Sequence, residues 1–150
     1  MGEAVYYLKA KFPKKITEEE FQAIKDFFIE GSKAADYWQE NRDRTPDQFW
    51  PDFEKQFPEV TTYLKGLELF GKDCNNALSG QLDFGEQEDI EDNMTYEGNL
   101  LTYHAEVWHF AEWDPILKYL KGRYGAVRTG YVSDEYVEET SHYYDAIGLD

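Results

Sequence analysis

By residue type and spacing, His104 and Glu106 are the side chains best suited to chemistry. They sit two apart in an alternating stretch, Asn99 to Phe110. On a strand they would project from one face, roughly 7 Å apart. A histidine beside a carboxylate can act as a general base or supply part of a metal site. His109 falls on the opposite face by its odd spacing. A zinc site wants three or four ligands, and only His142 and distant acids remain. The competing reading of the pair is a simple His–Glu contact on an exposed sheet face. Cys74 stands alone between Asp73 and Asn75, so no internal disulfide forms, and no nearby histidine would activate it. No Gly-x-Ser-x-Gly, Walker, dinucleotide or EF-hand pattern occurs. Asp83-Phe84-Gly85 spells a kinase motif, but without a glycine-rich loop or a catalytic loop it is a coincidence of letters. The sequence therefore assigns no catalytic residue, metal or cofactor, and leaves His104 and Glu106 as candidates.

Charge says more than motif. The formal net charge is −16 over 150 residues. From Asp83 to Asn99 there are seven acids and no Lys or Arg. From Ser133 to Asp150 there are six acids, again with no base. Lys118, Lys121, Arg123 and Arg128 lie between these stretches, and Lys9, Lys11, Lys14 and Lys15 form a second basic island. Nucleic acid is excluded as a partner, because phosphate binding rests on Lys and Arg. Acidic loops instead attract basic protein surfaces. Glu86, Glu88, Asp89, Glu91, Asp92, Asp134, Glu135, Glu138 and Glu139 are the candidate partner-binding residues. The blander reading is a solvated, solubilising surface. No apolar run reaches membrane-spanning length and no signal-peptide pattern opens the chain, so a cytoplasmic protein with no membrane partner is expected.

The elements that must position these residues follow from periodicity. Val5 to Phe12 alternates, with Tyr6, Leu8, Ala10 and Phe12 on one face and Tyr7, Lys9 and Lys11 on the other. Thr17 and Glu20 form a capping box. A helix then runs to about Asn41 with Phe21, Ile24, Phe28, Ala35 and Trp38 along one side, Phe27 and Ala34 widening the stripe, and Gly31 as its weak point. Pro46 and Pro58 open two further helices, and Gly71 looks like a stop. Their aromatic residues Phe49, Trp50, Phe53 and Phe57 read as core, with a partner-peptide groove as the alternative. Ala77 to Phe84 reads as a strand with Leu78, Leu82 and Phe84 inward and Gly80 at a bulge or close backbone approach. Gly85 to Asn93 reads as an acidic loop. In the strand Asn99–Phe110, Leu101, Tyr103, Ala105 and Val107 face one way, and Leu100, Thr102, His104, Glu106 and Trp108 the other. Pro115 opens a short helix with Ile116, Leu117, Leu120 and Tyr124, Gly125 stops it, and Ala126 to Val132 is the last strand.

This order predicts an α+β protein, a ferredoxin-like split β-α-β with an antiparallel four-stranded sheet. One domain is expected over residues 1–132, with a helical insertion at about 42–76, followed by an acidic tail at 133–150. Helices would cover one sheet face. Tyr7, Lys9 and Trp108, with His104 and Glu106, would line the open one unless the tail packs there and covers Trp108. Aromatics on an open sheet suggest base stacking, but the RNA-recognition motif is missing and the charge opposes it.

Phe110, Trp113, Pro115, Leu120 and Tyr124 form a Phe-x-x-Trp-x-Pro turn followed by a short helix. This pattern, about a fifth of the chain, resembles the C-terminal part of the YubB-type ferredoxin-like proteins of phages and plasmids. The resemblance implies a ferredoxin-like fold and a mobile-element origin, and no activity. The leading expectation is a non-enzymatic acidic protein that binds and inhibits or sequesters a basic protein surface, in the sharpest version as a nucleic-acid mimic with an anti-defence role. A small enzyme using His104 and Glu106 is one alternative. A structural subunit, or a homodimer pairing open sheet faces, is another.

Overall fold

The computed structural model describes residues 3–72, 77–134 and 143–149. Its centre is strand β1 (Glu3–Lys11), which pairs antiparallel with β3 (Leu100–Trp108) on one side and with β4 (Arg128–Ser133) on the other. The short β2 (Thr95–Glu97) joins the far edge of β3, so the sheet runs β2-β3-β1-β4 and every neighbour is antiparallel. The fold is α+β with a four-stranded antiparallel sheet. Register follows the alternation in sequence. Ala4, Tyr6, Leu8 and Ala10 of β1 and Leu101, Tyr103, Ala105 and Val107 of β3 are all buried on the same face.

Helix α1 (Glu18–Asn41) covers that face and begins at the expected capping box. The Thr17 hydroxyl accepts from the Glu20 N–H at 3.1 Å, and the Glu20 carboxylate accepts from the Thr17 N–H at 2.9 Å. Helices α2 (Pro46–Gln56) and α3 (Pro58–Gly66) pack against α1, with Phe49, Trp50, Phe53, Val60, Tyr63 and Leu64 buried in one continuous core. The aromatic stripe of the insertion is thus core rather than groove. Helix α3 stops five residues before Gly71. Glu68 takes the left-handed conformation (φ 60°), its N–H donates to Lys65 O, and the Leu69 N–H donates to Leu64 O. A glutamate holds the place that glycine usually fills in this helix ending. Helix α6 (Asp114–Tyr124) ends as expected at Gly125, with φ 83°.

Two expectations fail between residues 77 and 97. Ala77 to Phe84 is not a strand. Residues Ala77–Gln81 form the short helix α4, and the strand in this part of the sheet is β2. Leu78 and Leu82 are four apart, which one helical face accommodates as readily as an alternating strand, and both are buried. Gly80 does make a close backbone approach. A Cβ there would lie 3.2 Å from the Phe110 carbonyl, and the Glu112 N–H donates to Gly80 O at 3.2 Å. The acidic stretch is not a loop either. Gln87–Asn93 forms helix α5, which lies along β3 and α1 and buries Ile90.

The sheet face away from α1 is not open. Helix α7 (Tyr143–Ile147) lies over β1 and β4, with Tyr143 and Leu149 buried. Lys9, expected on an open face, is 5% exposed. Trp108 stays uncovered at 43%.

Gly31 is a point of contact rather than a weakness. A methyl group there would sit 2.6 Å from the Phe84 ring. Glycine inside a helix normally costs about 1 kcal/mol relative to alanine, whereas overpacking a clamped aromatic costs about 1–3 kcal/mol. Gly31→Ala is therefore expected to lower the unfolding free energy, by up to about 2 kcal/mol, in urea titration. A gain in stability would show that Phe84 moves freely.

Candidate functional site

The structure does not bring His104 and Glu106 together as a working pair. His104 lies under α7, with its Nδ1 3.1 Å from the Tyr144 hydroxyl and its ring 5.4 Å from that of Tyr7. Burial pushes its pKa below 6.5, against an opposing pull from Asp89. Glu106 is exposed and turned toward acids. The neighbouring carboxyl of Glu3, through a shared hydrogen bond and its charge, raises the Glu106 pKa, and Asp134 adds to it. Among the described residues no group of three or more His, Cys, Asp or Glu side chains is placed to hold a metal ion. His142 and Cys74 lie outside the described residues.

The candidate partner-binding acids divide. Glu86, Glu88, Glu91 and Asp92 are exposed on α5 or at its start. Asp89 and Asp134 are tied to the sheet. Asp89 Oδ2 accepts from the Glu106 N–H at 3.4 Å, and Asp134 Oδ1 accepts from the Val5 N–H at 3.2 Å. Glu135, Glu138 and Glu139 lie outside the described residues.

Sequence reasoning missed a cleft where acids from separate segments meet. It opens between the second half of α1, the Leu82–Glu86 segment and the ends of β1 and β3, with a volume of about 240 Å³. Glu3, Asp36, Asp83, Glu86 and Glu106 line it together with Trp38 and Trp108, and no Lys or Arg does. Asp83 is its deepest acid in chemical terms. Its Oδ2 accepts the Trp108 N–H at 2.7 Å, yet burial outweighs this and lifts its pKa to about 6. Trp38 is 3% exposed, and its indole N–H finds no acceptor among the described residues. At the rim Trp108 stacks on Phe110, with centroids 6.0 Å apart and planes 13° apart, and both rings stand in solvent. These residues come from four separate segments, so no local pattern announces them. The adjacent Trp108 and Glu106 on β3 were the one legible hint.

Basic residues collect elsewhere. Lys14, Lys15 and Arg123, with Glu19 and Glu20, line a cavity of about 470 Å³ between the start of α1 and the end of α6. The acidic cleft and this mixed cavity share no lining residue.

No protein-family model matches the sequence, and neither a curated protein nor a solved structure is significantly similar to it. Among the described residues no helix is long and apolar enough to cross a membrane.

Two titrations carry signs that can be checked. Asp83 has a folded pKa of about 6 against an ordinary 3.8, so the unfolded chain loses its proton first as pH rises. Stability then falls between about pH 4 and pH 6, and the full penalty, at most about 3 kcal/mol, stands at neutral pH. Asp83→Asn, which can still accept from Trp108, is expected to be more stable than wild type at about pH 7. This advantage should shrink toward about pH 4 in denaturant titrations. His104 runs the other way. The unfolded chain takes up its proton first as pH falls below 6.5, so the contribution of neutral His104 is lost in acid. The stability difference between wild type and His104→Gln is expected to narrow from about pH 7 to about pH 5.

Proposed function

We propose that this is a non-enzymatic acidic interaction protein that binds, and so inhibits or sequesters, a basic protein surface. The observation that carries the reading is the cleft lined, among the described residues, by five carboxylates and no Lys or Arg, with the exposed Trp108–Phe110 pair at its rim. Carboxylates held close together repel, and a partner cation relieves that repulsion. Exposed aromatics bordered by charge are the usual anchors of protein interfaces. The four exposed acids at α5 extend the same sign of charge along the neighbouring surface. The alternative of an enzyme built on His104 and Glu106 is disfavoured by their separate partners, Tyr144 and Glu3.

The strand order β2-β3-β1-β4 supports a ferredoxin-like split β-α-β as the finer description of the fold. The likeness to YubB-type phage and plasmid proteins fits that plan and motivates the sharpest version, a cytoplasmic, mobile-element protein that presents nucleic-acid-like charge to a host defence or nuclease complex. Binding of this kind depends on salt. Immobilised protein is expected to retain a basic partner from host lysate at low salt and release much of it at high salt. Combined Glu86→Gln, Glu88→Gln, Glu91→Gln and Asp92→Asn substitutions are expected to reduce that retention by at least about tenfold. Equal capture by this variant and the wild type would reject the reading.

A further inference from the structure

We infer that the cleft beside Trp108 receives a single arginine side chain of the basic protein partner, its guanidinium stacked on the indole of Trp108 and its charge facing Glu86, Glu106 and Asp83. The inference rests on the interaction reading above and names the group recognised.

Four observations lead to arginine. The cleft is about 240 Å³, below the roughly 300–1,000 Å³ that drug-sized ligands occupy, so it suits one side chain. Its carboxylates do not converge tightly enough to hold a metal ion among the described residues, which favours a larger, delocalised cation over a divalent ion. The rim offers a flat aromatic surface, Trp108 stacked on Phe110, with each ring more than two-fifths exposed. Guanidinium is planar and weakly hydrated and stacks on aromatic faces while pairing with carboxylates. Ammonium is a compact, strongly hydrated charge that gains less from such a surface. Finally, Trp38 lines the same cleft, and its indole N–H is a buried donor with no acceptor among the described residues; a peptide brings carbonyls where free salt does not. Arg42, whose guanidinium lies 5.6 Å from the Trp38 ring, is not among the residues that line the cleft.

The backbone that carries the platform is fixed in advance. The Trp108 N–H is held by Asp83 at 2.7 Å, and Trp108 sits opposite Glu3 in the β1–β3 register. Little ordering of the backbone is then required on binding.

The test uses isotope-labelled full-length protein and follows the tryptophan indole N–H resonances. The probes are ethylguanidinium chloride, ethylammonium chloride and sodium chloride at matched ionic strength, then glycine–serine peptides bearing either arginines or lysines at equal number. Ethylguanidinium is expected to shift the Trp108 indole saturably. The arginine peptide is expected to bind about three- to tenfold more tightly than the lysine peptide. Trp108→Leu, which keeps apolar bulk but has no π face, should erase that preference while leaving the rest of the spectrum folded. Glu86→Gln with Glu106→Gln should weaken both peptides. Equal, salt-sensitive binding of the two peptides with Trp108 unmoved would overturn the arginine site and leave the acidic-surface reading standing. No binding of either peptide at low salt would overturn both.

Discussion

Much of this structure depends on three residues crossing over the sheet. Asp83, Phe84 and Gly85 are pinned by a set of contacts that leaves them no freedom. The Tyr103 hydroxyl donates to Phe84 O at 2.6 Å, and the Trp113 indole N–H donates to Asp83 O at 2.9 Å. The Phe84 ring packs edge-on against Phe27 and Phe28 under Gly31. Gly85, with φ 94°, passes so close to the Tyr103 hydroxyl and the Ala105 methyl that no side chain fits. Buried donors left without acceptors cost about 1–3 kcal/mol each. Any shift of this segment would therefore free Tyr103 and Trp113, open the seat of α1 and release the strand end that carries Trp108. The same three letters that suggest nothing catalytic in the sequence thus hold together the sheet, the long helix and the acidic cleft.

The legible parts of the sequence were those where one periodicity had no rival. The β1 and β3 strands alternate over nine residues each, and their inward sets are buried as the alternation requires. The α1 capping box and Gly125 are local signals, complete within a few residues, and tertiary contacts did not override them. Between Ala77 and Asn93 the signals were ambiguous. The Leu78–Leu82 spacing suits a strand or a helix, and α5 has a single buried anchor, Ile90, among its acids. Helix α5 forms because β3 and α1 bury that one side chain, which no local pattern reports. The same reason explains the site. Alternation puts His104 and Glu106 on one strand face, but α7, some forty residues further on, decides that His104 meets Tyr144.

The two faces of the sheet use aromatic residues differently. On the α1 side, Tyr6, Tyr103 and Trp113 form a packed group, with Tyr103 and Trp113 stacked 7° from parallel and Tyr6 edge-on to Trp113. On the α7 side, Tyr7 packs against Tyr143, Tyr144 and His104. Beyond the reach of α7 the same face ends in Glu106 and Trp108, where charge and an exposed ring replace packing. Function, on the reading favoured above, begins where the covering helix stops.

The outer edge of β3 carries a last consequence. β2 pairs only with its first three residues, Leu100 to Thr102, so the remaining edge would expose a row of unpaired amides. Asp89 and Asp83 occupy the amides of Glu106 and Trp108 instead. Negative side chains here act as stoppers against a neighbouring molecule's backbone. Asp83, with a pKa raised to about 6 by burial, gives up its charge on mild acidification, and with it much of its hold on the Trp108 amide. The Trp108 end of the edge then opens to strand addition as the pH approaches the isoelectric point of about 4.5, where the repulsion between molecules that carry −16 at neutral pH is least. Acidification toward that point would thus favour association of this protein through the β3 edge.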